Sequence, residues 1–189
     1  LDVVGTTFLR GGKKVVGADP SYGSVYSHAT GIKAEAIKVP LKADFSQNTS
    51  AMIEAANKHA AEVGFYYLCN PNNPTGVVVP KQEVKAIIDG LPKGMPILID
   101  EAYHHFVNTP NYETAIPYVI EGRPVIVART FSKIAALAAM RLGYAVAPRE
   151  IIQQMRPWSI GSINALVKHG GVASLKDTAS QAEVKQKVI

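Results

Sequence analysis

Three stretches of this chain hold residue types that do chemistry rather than fill a core. The first is Asn70-Pro71-Asn72-Asn73-Pro74-Thr75-Gly76, directly after the apolar run Phe65–Cys69. Two prolines fix that loop, Gly76 permits an unusual turn, and the asparagine amides can donate toward a ligand. A lone Asn-Pro reads as an ordinary turn; seven such residues at the end of an apolar run read as a binding loop. The second stretch is Ile97-Leu98-Ile99-Asp100-Glu101-Ala102-Tyr103, where an apolar run ends on an acid. A buried, unpaired carboxylate is costly, so Asp100 needs a cationic partner or a proton, unless it merely caps a helix. The third is Thr130-Phe131-Ser132-Lys133, followed by Ala-rich sequence and Arg141. Among Phe131, Ile134 and Leu137 the Lys133 amine is expected to be desolvated, which favours a nucleophile; a lysine snorkelling to the surface is the plain alternative. Arg141 lies eight positions on, about 12 Å along a straight helix, a span that a small phosphorylated molecule and two long side chains can bridge. Thr130 and Ser132 would complete such a phosphate site. The neighbouring His104 and His105 point different ways on any regular element and have no histidine partner four residues on, so no metal site is expected.

Residues scattered from Asn70 to Arg141 need strand ends to bring them together. Short β-rich runs alternate with Ala- and Lys-rich segments, the signature of an α/β sheet with crossover helices. Strands are expected at Lys14–Ala18, Glu35–Val39, Phe65–Cys69, Ile97–Asp100, Val125–Ala128 and Leu142–Val146. Helices are expected at Ser21–Thr30, Thr49–Val63, Lys81–Gly90, Tyr112–Glu121, Glu150–Met155 and Ile163–Leu175. The run at Leu142 follows Lys133 too closely for a right-handed crossover and should pair antiparallel in a mixed sheet. The three stretches follow apolar strands, where ligands bind in open α/β sheets. Residues 174–189 are polar, with Val184 and Val188 four apart, which suits a helix leaving the domain.

Composition removes several classes. With 47% hydrophobic and 19% charged residues, the chain is neither disordered, collagenous nor a disulfide scaffold. The formal charge of +5 is scattered rather than striped, so nucleic acid is not an expected partner. Cys69, the one cysteine, sits in an apolar run and reads as core, in a reducing compartment. No apolar run approaches the roughly 20 residues that cross a bilayer, and a soluble, cytoplasmic protein is expected. Leu1 opens in mid-pattern, as a fragment would.

Together, Asn72-Asn73-Pro74-Thr75-Gly76, Asp100-Glu101-Ala102-Tyr103, and Ser132-Lys133 followed by Arg141-Leu142-Gly143-Tyr144 resemble the fold-type I pyridoxal-phosphate-dependent aminotransferases, class I/II, and most of all the histidinol-phosphate aminotransferase branch. Asp19-Pro20-Ser21-Tyr22-Gly23 resembles the family's Pro-Thr-Tyr turn. The resemblance implies a three-layer α/β/α large domain with a mostly parallel mixed sheet over residues 1–173, N-terminally incomplete. Residues 174–189 would then start a helix toward a small domain. It implies transfer of an amino group between an amino acid and a 2-oxo acid, with pyridoxal 5'-phosphate held as a Schiff base on Lys133. Lys133 would also move the proton between substrate and cofactor. Asp100 would pair with the pyridine nitrogen. Asn73 and Tyr103 would bond the phenolic oxygen, and Tyr22 would stack on the ring unless it is a core tyrosine sharing the face of Tyr26. Arg141, Ser132 and Thr130 would bind the phosphate. A homodimer is implied as well.

The departures carry expectations too. The family's upstream phosphate loop, N-terminal arm and carboxylate-gripping arginine have no counterpart in these residues, and poor or no turnover is expected even with cofactor bound. Ala138-Ala139 stands where relatives often have Ala-Gly, adding a methyl group. The same motifs also fit C–S lyases, decarboxylases and acyltransferases using this cofactor, or a non-catalytic regulatory domain.

Overall fold

The central strands are apolar on both faces, and alternate residues along each go to different cores. A computed structural model describes residues 1–159 and 161–189. In chain order the first elements are α1 (Asp2–Phe8), β1 (Lys14–Asp19), α2 (Ser24–Gly31), β2 (Glu35–Pro40) and α3 (Thr49–Lys58). Then come β3 (Val63–Cys69), α4 (Lys81–Gly90), β4 (Ile97–Asp100), α5 (Ile116–Ile120) and β5 (Val125–Thr130). The chain continues through β6 (Gly143–Val146), α6 (Arg149–Met155), α7 (Ala165–Lys176) and α8 (Thr178–Val188).

Among the described residues six strands form one sheet, ordered β2-β1-β3-β4-β5-β6. All pairs are parallel except β5 with β6, which is antiparallel as the short connection required. Val16, Tyr66, Leu68, Ile97, Ile99 and Val127 face a core closed by Met52 of α3, Ile87 of α4 and Val119 of α5. Val15, Phe65, Tyr67, Leu98 and Ile126 face a second core, closed by Val4 of α1, Val25 of α2 and Ile151 of α6. This period of two across a doubly covered sheet gives the three-layer α/β/α architecture.

Three helices differ in their bounds from what the sequence suggests. The helix expected over Thr49–Val63 stops at Lys58, because Val63 belongs to β3 and pairs with Lys14. The helix expected over Tyr112–Glu121 begins only at Ile116. Its first turn is claimed by Glu101, whose carboxylate accepts from the Thr114 hydroxyl at 2.8 Å and the Ala115 N–H at 2.7 Å. The helix expected over Ser21–Thr30 starts at Ser24, which leaves Tyr22 in a loop.

Gly143 lets β6 approach β5. A Cβ built there would lie 2.8 Å from the Arg129 carbonyl oxygen, a backbone atom that cannot swing aside. Gly143→Ala is therefore expected to destabilise the chain by about 1–3 kcal/mol, read as a lower urea midpoint. An unchanged midpoint would mean that the hairpin has slack.

Candidate active site

Strands β1, β3, β4 and β5 run parallel, so their C-terminal ends share one edge of the sheet. The strand order reverses between β1 and β3, and crevices open at such switch points. Two loops meet there: Ser21 Oγ donates to Asn72 Oδ1 at 2.8 Å, and Asn72 Nδ2 donates to the Pro20 carbonyl at 3.2 Å. A cavity of about 890 Å3 lies over this edge, and all eight residues singled out by the sequence line it. Tyr22 enters after β1, Asn73 after β3, Asp100 and Tyr103 at the end of β4, and Thr130, Ser132 and Lys133 after β5. Arg141 reaches it from the loop before β6.

Each residue arrives for a local reason. Tyr26 takes the core position, its hydroxyl donating to the Ala18 carbonyl at 2.6 Å, so Tyr22 is left 44% exposed at the cavity wall. That removes the core reading of Tyr22. The three asparagines of the loop divide their work. Asn70 exchanges bonds with the Val79 backbone, donating at 3.0 Å and accepting at 2.9 Å, and Asn72 is spent on the neighbouring loop and Thr75. Asn73 is the one of the three that reaches the cavity.

Asp100 is 6% exposed. Its Oδ1 accepts from the Ala102 N–H at 3.1 Å, a local turn; no helix starts there, so the helix-cap alternative does not hold. Desolvation raises its pKa above the ordinary carboxylate value. Among the described residues no cation pairs with it, in contrast to its neighbour Glu101.

Glu101 points to the opposite side of β4 and is only 1% exposed. Arg129 grips it through Nε at 3.1 Å and Nη2 at 2.8 Å, and donates to Thr114 at 2.8 Å as well. Arg129 also lines the cavity, yet the motifs passed over it. The signal was a charge at the end of the apolar run Val125–Ala128, the same feature that exposed Asp100. Arg129→Met would strand a buried carboxylate and is expected to cost about 3–5 kcal/mol, with much of the loss recovered when Glu101→Gln is added. Equal melting of wild type and the single variant would show the pair to be incidental.

Two expectations about Lys133 and Arg141 need correction. The Lys133 side chain is exposed, because Phe131 and Ile134 turn into the core on either side and leave it in the open cleft. Its apolar companion is instead the Tyr103 ring, with Nζ 5.0 Å from the centroid. Nor does a straight helix join Lys133 to Arg141. The chain turns back through left-handed residues Ala136 (φ 53°) and Arg141 (φ 50°), held by Leu137 N–H donating to the Phe131 carbonyl at 3.0 Å. That fold-back brings Arg141 Nη1 to 3.5 Å from Ser132 Oγ. Thr130 Oγ1 accepts from the Ser132 N–H at 3.0 Å, and fixes the same loop.

Other titratable groups nearby have structural surroundings. The rings of His104 and His105 lie 3.7 Å apart, tilted by 44° to one another, and burial pushes His104 down to about 3. Cys69 is buried in the core, as its apolar run indicates; desolvation raises its thiol to about 11.

A nucleophile-bearing lysine, an unpaired buried carboxylate and a paired arginine and serine in one cavity fit a phosphorylated heterocyclic cofactor. Comparison with known proteins agrees. The chain is 36% identical over 181 residues to a histidinol-phosphate aminotransferase of Moorella thermoacetica, covering 95% of this chain and 46% of that protein. It is 34% identical to one of Brevibacillus brevis, covering 94% of this chain and 48% of the relative. The chain thus spans about half the length of the curated relatives it matches. The solved histidinol-phosphate aminotransferase of Sinorhizobium meliloti, in complex with pyridoxal-5'-phosphate, superposes with a TM-score of 0.86 at 27% identity, covering 98% of this chain and 51% of that one. The family model for aminotransferase class I and II matches residues 1–188, and the chain belongs to that family.

Proposed function

We propose that this chain is the cofactor-binding part of a pyridoxal-phosphate-dependent aminotransferase, which moves an amino group between an amino acid and a 2-oxo acid. The observation that carries the reading is the buried Asp100 carboxylate, without a cationic partner among the described residues, in one cavity with the Lys133 amine. A protonated heterocycle between them would satisfy that carboxylate. When bound, the cofactor supplies an aldehyde that captures amines and a ring that takes up the electrons of a deprotonated α-carbon.

In this reading Lys133 holds the cofactor covalently, and its amine, once released, carries the proton to and from the substrate α-carbon. Its exposure in the cleft suits a group that must swing between two tasks. Asp100 keeps the proton on the pyridine nitrogen. Asn73 and Tyr103 donate to the phenolic oxygen, and Tyr22 covers one face of the ring. Arg141, with Ser132 and Thr130 beside it, receives the phosphate through charge-assisted bonds, so the far end is fixed while the near end reacts.

The test is a titration with pyridoxal phosphate followed by borohydride reduction and peptide mapping. A new visible band and a label on Lys133 are the expected results; a label confined to other lysines would overturn the assignment. We further propose that residues 1–173 form the large-domain unit, that residues 174–189 lead toward a second unit, and that the whole enzyme is a cytoplasmic homodimer. Among the described residues no helix is long and apolar enough to cross a membrane.

A further inference from the structure

The ladder between β4 and β5 ends at the rung Asp100–Ala128, and one residue further on the two chains are joined again, this time by side chains. Glu101 and Arg129 each follow a member of that last rung, so their side chains lie on the face of the sheet opposite Asp100. Glu101 Oε2 accepts from Arg129 Nε and Nη2, at 3.1 and 2.8 Å, while Oε1 accepts from the Ala115 N–H at 2.7 Å. The Thr114 hydroxyl sits between the two charges, accepting from Arg129 Nη2 and donating to Glu101, both at 2.8 Å.

This pair stands at the root of two arms. Beyond Glu101 the chain carries Tyr103, and beyond Arg129 it carries Thr130, Ser132 and Lys133. The arms meet again where Lys133 Nζ lies 5.0 Å from the Tyr103 ring centroid. Asp100 stands just before the first root. Its carbonyl accepts from the Asn70 N–H at 3.0 Å, and the following Glu101 N–H donates to the Ala128 carbonyl at 2.9 Å. Asp100, Tyr103 and Lys133 all line the one cavity.

A buried ion pair is seldom the most stable filling of its space, since apolar side chains of equal volume serve as well or better. Apolar side chains lack direction, however. A planar guanidinium locked on a carboxylate fixes both the separation and the register of the two strand ends that carry it. Resting on the functional reading above, we infer that Glu101 and Arg129 are positioning residues, which act through Asp100 by holding its carboxylate at a set place relative to the Lys133 amine. An error of about 1 Å in that spacing is enough to weaken the bond from Asp100 to a ring nitrogen, which then gives up its proton more readily.

The test is a pH titration of the visible band that pyridoxal phosphate forms with the whole chain, alongside the urea midpoint of the cofactor-free protein. Glu101→Gln combined with Arg129→Met removes one charge of each sign, so the net charge beside the cavity is unchanged and the urea midpoint should return much of the way to that of wild type. The pH midpoint of the band is expected to rise by about 0.5 or more, because a ring nitrogen without its proton no longer repels the proton on the nitrogen of the Lys133 linkage. Asp100→Asn should raise it in the same direction, and adding the two changes to Asp100→Asn should produce little further shift, as for residues that act through one another. Arg129→Lys, which keeps the charge but loses the fork, should show part of the same rise, and it decides by the same comparison if the double variant unfolds. A folded variant that titrates like wild type, or a shift that adds in full to that of Asp100→Asn, would overturn the inference. The outcomes separate the readings: absence of any band in wild type sinks the cofactor assignment, an unmoved midpoint in Asp100→Asn sinks the role of that carboxylate, and a moved midpoint there beside an unmoved double variant sinks only the role of the pair.

Discussion

Lys133→Ala is expected to lower transamination by roughly a thousandfold or more and to remove the visible band, while pyridoxal phosphate still binds without a covalent link. The reason is geometric. Lys133 is the amine beside Tyr103, with Nζ 5.0 Å from the ring, and it lines the same cavity as Asp100. Another lysine would have to cross the cleft to replace it. Because Lys133 is exposed and makes no side-chain hydrogen bond among the described residues, its removal should leave the urea midpoint nearly unchanged. A variant that retains the band, or one that unfolds, would contradict this account. Arg141→Gly offers a graded companion measurement: the left-handed backbone at φ 50° accepts glycine without strain, so any loss of cofactor affinity reports the guanidinium alone.

Asp100→Asn has effects of opposite sign on activity and on stability. The amide can still accept from the Ala102 N–H, but it cannot hold a proton on a ring nitrogen, so turnover should fall at least about a hundredfold. Stability of the cofactor-free protein should rise at neutral pH. Desolvation raises the native pKa of Asp100 above the ordinary carboxylate value of 3.8, so between that value and the native pKa the native state retains a proton that the unfolded chain has lost. Wild-type stability therefore falls as pH rises from about 3.8 through the native pKa, and the penalty stays in place above it. The variant lacks this decline. Urea midpoints measured across the acid range, with and without cofactor, read it directly; identical profiles for the two proteins would refute the claim.

Much of the fold was legible because its central strands are buried on both faces and read as continuous apolar runs, as in Phe65–Cys69 and Ile97–Ile99. The antiparallel β6 was legible from chain length alone. What periodicity could not show was competition for backbone groups. The N–H of Ala115 goes to a carboxylate 14 residues away, so the expected first turn of α5 never forms. That the eight candidate residues would line one cavity was legible because each stands at a strand end or in a loop beside one, yet their surroundings were not. Apolar neighbours in sequence suggested a buried Lys133, but residues two before and one after it can turn inward while it turns out, as Phe131 and Ile134 do. Arg129 was missed because its partner, Glu101, lies on another strand and nothing local connects them.

The fold-back between β5 and β6 has one more consequence. Both handles proposed for the cofactor, the amine of Lys133 and the guanidinium of Arg141, belong to a single hairpin clasped by Thr130 opposite Gly143. The distance from reacting end to anchored end is thus set by local chain geometry and not by how the helical layers are stacked. Drift in those outer layers can proceed while the gauge of the clasp stays the same; a residue inserted between Ala136 and Arg141 alters it at once.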